Sequence, residues 1–214
     1  MKEKSISVDA IITDPPYSLE FVNKKFFTPS VSEKWNDNFD QLTWIKEATP
    51  SIKEGGTTII FNYWRNLGAI SQELERNNLS IKDLIRWAKP NPLWKNITEK
   101  YTTDYELAIW AVKGGKWTFN SEKQLINNLE NKKNPYLIPE YVGEERIHPT
   151  QKNLRVIKDI IALHTNPNDL ILDPFMGSGG TTAVACSELG RNFIGSEIDK
   201  DYFQKAEARL ERII

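Results

Sequence analysis

The segment Asp14-Pro15-Pro16-Tyr17 places a carboxylate, two prolines and an aromatic ring directly after an apolar run at residues 8–12. Successive prolines fix φ and remove two N–H donors, so the carbonyl groups here are free to accept hydrogen bonds from a ligand. The alternative is a Pro-Pro turn with a surface tyrosine. Because a given tetrapeptide arises by chance in roughly one chain per thousand of this length, we interpret the segment as a ligand site.

A glycine-rich turn near the other end of the chain is the second candidate site. A strand-like run at residues 170–172 leads into Asp173-Pro174-Phe175-Met176-Gly177-Ser178-Gly179-Gly180, and a helical segment follows. Glycines let the backbone approach a ligand closely, and the amide groups at a helix start favour a nucleotide or another anionic group. The spacing departs from G-x-G-x-x-G, and G-x-x-x-x-G-K-[ST] is absent, which argues against a dinucleotide or a nucleoside triphosphate.

Glu197 follows the next strand-like run, residues 192–195. An acid about 20 residues after such a turn can accept hydrogen bonds from ribose hydroxyls. A tight connection between strand and helix would explain the glycines alone. The glycines and Glu197 together favour a cofactor that contains ribose.

These residues need a sheet that brings its strand ends together. Short apolar runs alternate with stretches of helical spacing, which is typical of βα units around a mostly parallel sheet. Strands are predicted at residues 8–13, 57–61, 81–88, 106–112, 170–172 and 192–195, and helices at residues 42–51, 64–77, 154–164, 180–189 and 201–213. Because no helical signal separates 81–88 from 106–112, these two strands are predicted to pair antiparallel in a mixed sheet.

The composition fits one α/β domain spanning residues 1–214, with 39% hydrophobic and 27% charged residues. A single cysteine and two histidines exclude a disulfide framework and a zinc site built from several cysteines. The net charge of −1 gives no support to a strongly basic nucleic-acid binder. Without a signal peptide or a long apolar run, we predict a cytoplasmic protein with no membrane segment.

Two polar segments are predicted to contact a partner rather than build the sheet. Residues 114–145 are a candidate insertion for recognising a target, and residues 21–40 are a second candidate contact loop. Among single residues, His164 ends a helical pattern and is predicted to cap the helix or lie on the surface. Core positions are predicted for Cys186, Trp44, Trp87 and Trp110.

Three motifs carry a family resemblance, and they occur in the order Asp14-Pro15-Pro16-Tyr17, His148-Pro149-Thr150-Gln151-Lys152 and Asp173-Pro174-Phe175-Met176-Gly177-Ser178-Gly179. In this order they resemble the beta group of the S-adenosylmethionine-dependent DNA amino-methyltransferases of bacterial restriction–modification systems. The resemblance covers nearly the whole chain. It implies a Rossmann-like class I methyltransferase fold, in which a mixed, mostly parallel sheet has a reversed hairpin at one edge and helices on both faces.

The resemblance also implies a role for each motif residue. Asp173, Phe175, Gly177, Ser178 and Gly179 would surround the methionine part of the cofactor. Glu197 would bind its ribose. Thr150 and Lys152 would lie close to that pocket, and the Asp14-Pro15-Pro16-Tyr17 segment would be catalytic.

The reaction implied by the resemblance transfers a methyl group from S-adenosylmethionine to an exocyclic amino group, leaving S-adenosylhomocysteine. Such an amine is a poor nucleophile because its lone pair is delocalised into the ring. If the carboxylate of Asp14 and the carbonyl of Pro15 accept the two amine hydrogens, the lone pair points at the sulfonium methyl. The base must leave the duplex, and Tyr17 is suited to stack on the flipped-out base. No metal is required.

Asp14 at the first motif position favours adenine-N6 as the target. Cytosine-N4 is the alternative within the same chemistry. A relative that binds DNA or cofactor without turnover is an alternative of another class. Methylation of RNA or of a protein amide is a third alternative, because related Pro-Pro-Tyr motifs that begin with Asn serve that chemistry. Asp14 in place of Asn argues against it. The expected partners are DNA, a cognate restriction endonuclease and a second copy of the chain.

Three departures from the family pattern lead to further expectations. Gly179 and Gly180 stand where one glycine is usual, which predicts a helix start shifted by one residue. Asn153 replaces a frequent proline at a helix start. Relatives usually carry a strand and a helix before the first motif strand, with an acid beside the cofactor's adenine, so part of that pocket is expected to be absent.

Overall fold

The computed structural model describes residues 6–17, 39–88, 104–122, 137–138, 151–177 and 180–212. Its strands are β1 (Val8–Thr13), β2 (Ile52–Asn62), β3 (Leu79–Ala88), β4 (Tyr105–Lys113), β5 (Leu137–Ile138), β6 (Leu170–Asp173) and β7 (Asn192–Gly195). Its α-helices are α1 (Thr43–Ala48), α2 (Leu67–Arg76), α3 (Leu154–His164), α4 (Thr181–Leu189) and α5 (Lys200–Glu211), with a 3₁₀ turn at Thr49–Ser51.

The described strands form one seven-stranded sheet in the order β5-β3-β4-β2-β1-β6-β7. β1 pairs in parallel with β2 and β6, and β6 pairs in parallel with β7. β4 runs antiparallel to both of its neighbours, β2 and β3. The prediction of a mixed, mostly parallel sheet with an antiparallel β3–β4 pair is therefore confirmed.

Two apolar layers cover the sheet, one on each face. On one face, Val156, Ile160 and Ile161 of α3 and Ala185 and Cys186 of α4 pack against Ala10 and Ile12 of β1. On the other face, Ile45 of α1 and Ile70 and Leu74 of α2 pack against Val8 and Ile11. Because both faces of β1 are covered, this strand is buried along nearly its whole length. Helices on both faces are confirmed.

Element boundaries match the sequence prediction best where an apolar run has clear turn residues at its ends. The predicted bounds of β1, β7 and α3 are those of the structure, whereas β2 begins at Ile52 instead of residue 57. The predicted helix 42–51 ends as a 3₁₀ turn that contains a proline, and the predicted helix 64–77 begins at Leu67. β5, which lies within the candidate insertion at residues 114–145, was not predicted.

His164 lies in the core, and the prediction that it caps α3 or lies on the surface is wrong. Its side chain is only 6% exposed and packs 4.6 Å from the ring of Trp110 and 5.3 Å from the ring of Phe119. The segment after β4 folds back over the end of α3, where Asn120 Nδ2 donates to the carbonyl oxygen of Ala162 at 2.9 Å. The segment after β4 therefore covers His164, which the helical pattern alone would leave exposed at the end of α3.

The core predictions for the other single residues are confirmed. Trp87 and Cys186 are buried, and Trp44 and Trp110 are partly buried against the apolar layers. Within the described residues, no helix is long and apolar enough to span a membrane.

Candidate active site

Five strand ends bring polar residues to one edge of the sheet. β1, β2, β6 and β7 are parallel and finish at this edge, whereas the reversed strand β4 starts there. The residues at or just beyond these ends are Asp14, Asn62, Asp173, Glu197 and Glu106. In open α/β sheets, ligands bind at the carboxyl ends of the strands, so this edge is the candidate site.

Asp14 is held by two side chains of the chain itself. The hydroxyl of Tyr17 donates to Asp14 Oδ1 at 2.6 Å, and Lys152 Nζ lies 2.5 Å from Asp14 Oδ2. The same ammonium group lies 3.0 Å from Glu106 Oε2 on β4. The first strand, the reversed strand and the segment before α3 therefore meet in one ionic cluster.

Burial and charge act in opposite directions on this cluster. Burial raises the pKa of Asp14, and the carboxylate of Glu106 adds to the rise, while Lys152 opposes it. For Lys152, burial would lower the pKa, but the carboxylates of Asp14 and Glu106 hold it well above its usual range. Lys152 is therefore an ammonium ion, and with both carboxylates ionised the cluster carries one net negative charge.

The Asp14-Pro15-Pro16-Tyr17 segment is attached to β2 through amide side chains. Gln41 Nε2 donates to the carbonyl oxygen of Pro16 at 2.5 Å, and Asn62 Nδ2 donates to Gln41 Oε1 at 2.9 Å. Asn62 is buried and accepts in turn from the backbone N–H of Tyr63 at 2.8 Å. This chain of hydrogen bonds occupies the carbonyl of Pro16. The role of the Pro15 carbonyl as an acceptor for a ligand stays a prediction.

Asp173 lies beneath the glycine turn as a buried anchor. Its Oδ1 accepts from the hydroxyl of Thr13 at 2.7 Å and from the backbone N–H of Phe175 at 3.1 Å, and its Oδ2 accepts from the hydroxyl of Thr182 at 2.7 Å. Burial raises the pKa of Asp173 to about 6, against the lowering effect of these hydrogen bonds. Asp173 therefore connects the ends of β1 and β6 to the start of α4.

The glycine turn has the left-handed backbone that its residues permit. Gly177 has φ +61° and Gly180 has φ +47°, a region that side-chain-bearing residues rarely adopt. A Cβ at Gly177 would meet no atom within 4 Å, so that side of the turn is open. The ring of Phe175 lies edge-on to Phe39 at 5.3 Å and to Trp44 at 5.2 Å, which holds the start of the turn against α1.

Glu197 follows β7 beside this turn. The two loops are joined where Met176 N donates to the carbonyl oxygen of Ser196 at 3.0 Å. One oxygen of Glu197, Oε1, accepts from the backbone N–H of Asp199 at 2.9 Å, and the described residues give Oε2 no hydrogen-bond partner. Ile198 is 89% exposed, so an open apolar side chain lies next to the carboxylate.

The structure brings together most of the predicted site residues that it describes. Asp14, Tyr17 and Lys152 form one cluster, and Asp173, Phe175 and Gly177 form the turn beside it. Thr150, Ser178 and Gly179 lie outside the described residues, as do His148 and residues 21–38 of the candidate contact loop. Sequence analysis missed Glu106, Gln41, Asn62, Thr13 and Thr182.

Comparison with known proteins identifies the family to which this site belongs. A DNA methylase family model, N6_N4_Mtase, matches residues 8–208. Over 97% of its length the chain is 33% identical to the type II methyltransferase M2.MboI of Moraxella bovis, covering 82% of that protein. It is 30% identical to the type II methyltransferase M.HinfI of Haemophilus influenzae over 97% of its length, covering 64% of that protein.

Solved structures agree with this assignment. The crystal structure of the M1.HpyAVI-SAM complex aligns with a TM-score of 0.74 and 43% identity, covering 95% of this chain and 90% of that one. The cytosine-N4-specific PvuII DNA methyltransferase aligns with a TM-score of 0.72 at 15% identity, which supports the fold alone. The fold is that of a class I methyltransferase. The chain belongs to the N6_N4_Mtase family of DNA methylases.

Proposed function

We propose that this chain transfers a methyl group from S-adenosylmethionine to the exocyclic N6 of a flipped-out adenine in DNA. The observation that carries the proposal is the position of Asp14. Its carboxylate lies at the end of β1, next to the turn that Asp173 anchors, and is oriented by Tyr17 and Lys152.

The glycine turn and Glu197 fit the cofactor. Gly177 leaves an open face on the turn where a ligand can approach the backbone, and Glu197 Oε2 is available to accept from ribose hydroxyls. Ile198, exposed beside Glu197, offers apolar surface for a base. When bound, the cofactor supplies a methyl group activated by sulfonium charge. Phe175, Gly177, Ser178, Gly179 and Thr150 are the other residues that we expect to line its pocket.

The chemistry that the chain supplies is orientation and charge. Asp14 accepts an amine hydrogen and turns the nitrogen lone pair out of conjugation with the ring. As the amine attacks, positive charge develops on nitrogen, and the carboxylate of Asp14 stabilises it.

Binding of DNA is expected at the same edge of the sheet. The amino group of a base cannot be reached inside a duplex, so the base must be flipped out, and we expect the ring of Tyr17 to stack on it. Trp64, beyond the end of β2, is 52% exposed and has the Arg65 guanidinium 5.1 Å from its ring. An exposed indole beside a cation suits stacking on a base and contact with a phosphate.

Further partners follow from the family of restriction–modification enzymes. We propose a cognate restriction endonuclease as a functional partner and a second copy of the chain as a structural one. Residues 114–145 and 21–40 are the segments that we expect to read the target sequence within a single catalytic domain. Because the proposed substrate is DNA, we expect the enzyme to act in the cytoplasm.

Cytosine-N4 is the second candidate target. The amino groups of the two bases have the same chemistry, and the carboxylate of Asp14 can orient either one. The matched family includes both activities in its name. Asp14 at the first motif position favours adenine, and the two targets are separated by the methylated nucleoside that each produces.

The test is transfer of labelled methyl groups to DNA, followed by identification of the labelled nucleoside. The wild-type chain should produce N6-methyl-2′-deoxyadenosine, and Asp14→Ala should lower turnover by about 100-fold or more because an oriented electrostatic partner is lost. Asp83→Asn, which changes an exposed aspartate on β3, is the matched control and should keep full turnover. Absence of transfer by the wild-type chain would contradict the proposal.

A further inference from the structure

Both carboxylate oxygens of Asp14 are already engaged by the chain. Oδ1 accepts from Tyr17 at 2.6 Å, and Oδ2 contacts the Lys152 ammonium at 2.5 Å. A substrate amine that donates to Asp14 therefore competes with these two donors for the carboxylate oxygens. Lys152 is 12% exposed, so its ammonium cannot simply move into water when it leaves Asp14.

Glu106 offers Lys152 a second acceptor at the same depth. Its Oε2 lies 3.0 Å from Lys152 Nζ, and the Glu106 side chain is only 25% exposed. Glu106 is at the start of the reversed strand β4, whereas Asp14 follows β1 on the other side of β2. The ammonium is also 5.3 Å from the ring centroid of Phe61 on β2 and 5.8 Å from that of Tyr17.

We propose that Glu106 is a positioning residue that retains the ammonium group of Lys152 while Asp14 exchanges its bond to Lys152 for a bond to the substrate amine. Glu106 itself does not touch the substrate. The negative charge of Glu106 keeps the Lys152 ammonium near Asp14, where it still offsets the charge of the Asp14 carboxylate. Because Glu106 shares the ammonium, it also weakens the ion pair between Lys152 and Asp14. The inference rests on the proposed methyl transfer, because it concerns how Asp14 becomes available to an amine.

Removing the charge of Glu106 and removing the charge of Lys152 should shift the pKa of Asp14 in opposite directions. Within the residues that the structure describes, the charged or titratable groups that face Asp14 are Lys152, Glu106, Tyr17 and Asp173. Loss of the Glu106 charge leaves Asp14 as the one carboxylate among the described residues that contacts Lys152, and lowers the pKa of Asp14. Loss of the Lys152 charge leaves Asp14 beside Glu106 and raises the pKa of Asp14.

The first experiment compares single variants by steady-state methyl transfer over a range of pH. Glu106→Gln should lower kcat/KM for DNA by about 10- to 100-fold, since the amine now competes with a more tightly held Lys152. The acidic limb of its profile should move to lower pH. For Lys152→Met the acidic limb should move to higher pH. Limbs that stay in place, or move in the same direction, would overturn the inference.

A double variant separates positioning from a structural role. If Glu106 acts through Lys152, then Glu106→Gln in the Lys152→Met background should cost no further activity and should recover part of it, because a negative charge beside Asp14 is removed. A purely structural role predicts that the two losses multiply. Multiplied losses would overturn the inference.

Controls keep the failure of this inference distinct from failure of the proposed function. If the wild-type chain transfers methyl groups and Glu106→Gln does so equally well, only the inference is wrong; a wild-type chain that transfers none contradicts the function itself. Calorimetric titration with S-adenosylmethionine should give unchanged affinity for Glu106→Gln. Glu106→Asp keeps the charge and should recover part of kcat/KM even if the glutamine variant folds poorly, and no recovery in a folded Glu106→Asp protein would count against the inference.

Discussion

We propose two roles for Tyr17 that a sequence cannot separate. The motif alone predicts that its ring stacks on a base, and the structure adds that its hydroxyl donates to Asp14. That bond lowers the pKa of Asp14, against the larger rise caused by burial. The ring and the hydroxyl therefore affect different kinetic quantities.

We expect Tyr17→Phe and Tyr17→Ala to differ in kind. Tyr17→Phe should largely keep kcat at the alkaline plateau, because the ring remains, while the acidic limb moves to higher pH as Asp14 loses a donor. Tyr17→Ala should also lose stacking, worth about 1–3 kcal/mol, and so lose activity at every pH. Methyl-transfer rates over a range of pH test this. A uniform, severe loss in Tyr17→Phe would contradict the stacking role.

Glu197 is predicted to hold the cofactor ribose through the oxygen that Asp199 leaves available. Glu197→Ala should weaken binding of S-adenosylmethionine by about 10- to 150-fold, the value of a charge-assisted hydrogen bond of roughly 1.5–3 kcal/mol. Glu207→Ala, an exposed glutamate on α5, is the matched control. Calorimetry that gives equal affinity for both variants would assign Glu197 a surface role.

Sequence alone identified the residues that lie in contiguous motifs, and it missed those that tertiary structure brings to them. Asp14 and Tyr17 are three residues apart, so their contact follows from one short segment. Glu106 reaches Lys152 only because β4 is reversed and starts at the edge where the other strands end. No local pattern marks that position. The sequence does predict the antiparallel pair. The first carboxylate of the reversed strand, Glu106, could therefore have been predicted to lie at the edge where the other strands end.

At the scale of elements, the doubled glycine has a physical explanation. Gly180 precedes α4 with φ +47°, and a Cβ there would lie 3.2 Å from the Cβ of Ala206 on α5. α4 accordingly starts at Thr181, one residue after the start at residue 180 that the sequence pattern predicts. A shift of one residue is what the extra glycine leads us to expect. The close approach of two helices requires glycine at this position.

Gly180→Ala should destabilise the protein, and Gly68→Ala should not. A left-handed alanine costs about 1–2 kcal/mol, and the contact with Ala206 adds to that cost. Gly68 is within α2, where a Cβ would meet nothing within 4 Å, so alanine there should be neutral or stabilising by up to about 1 kcal/mol. Thermal unfolding of both variants is the measurement. Equal midpoints would contradict the explanation for Gly180.

The fold was predictable where burial is two-sided and local signals are strong. β1 is apolar on both faces because helices cover both sides of the sheet, and its bounds follow from the run of apolar residues. β5 is only two residues long and lies within a polar segment, so no hydrophobic periodicity predicts a strand there. The burial of His164 depends on Trp110 and Phe119, which are distant in sequence.

At the scale of the whole molecule, two buried groups give opposite contributions to the pH dependence of stability. Burial raises the pKa of Asp173 to about 6, above its value in the unfolded chain, so the folded state binds the proton more tightly. The stability that Asp173 contributes therefore falls as the pH rises from about 4 to about 6. Burial lowers the pKa of His164 to about 3, so the unfolded chain binds that proton more tightly and stability rises with pH.

The two contributions should offset each other in the wild-type protein between about pH 4 and pH 6, and single variants should reveal each one. Asp173→Asn removes the buried carboxylate while its amide can still bond Thr13 and Thr182, so the thermal midpoint should rise with pH through this window. His164→Phe keeps a ring against Trp110 and removes the buried imidazole, so its midpoint should fall with pH. The measurement is thermal unfolding of wild type and both variants at matched pH values. Midpoints of the two variants that change with pH in the same direction would mean that at least one of these groups does not titrate as its burial implies, because opposite slopes require both shifts.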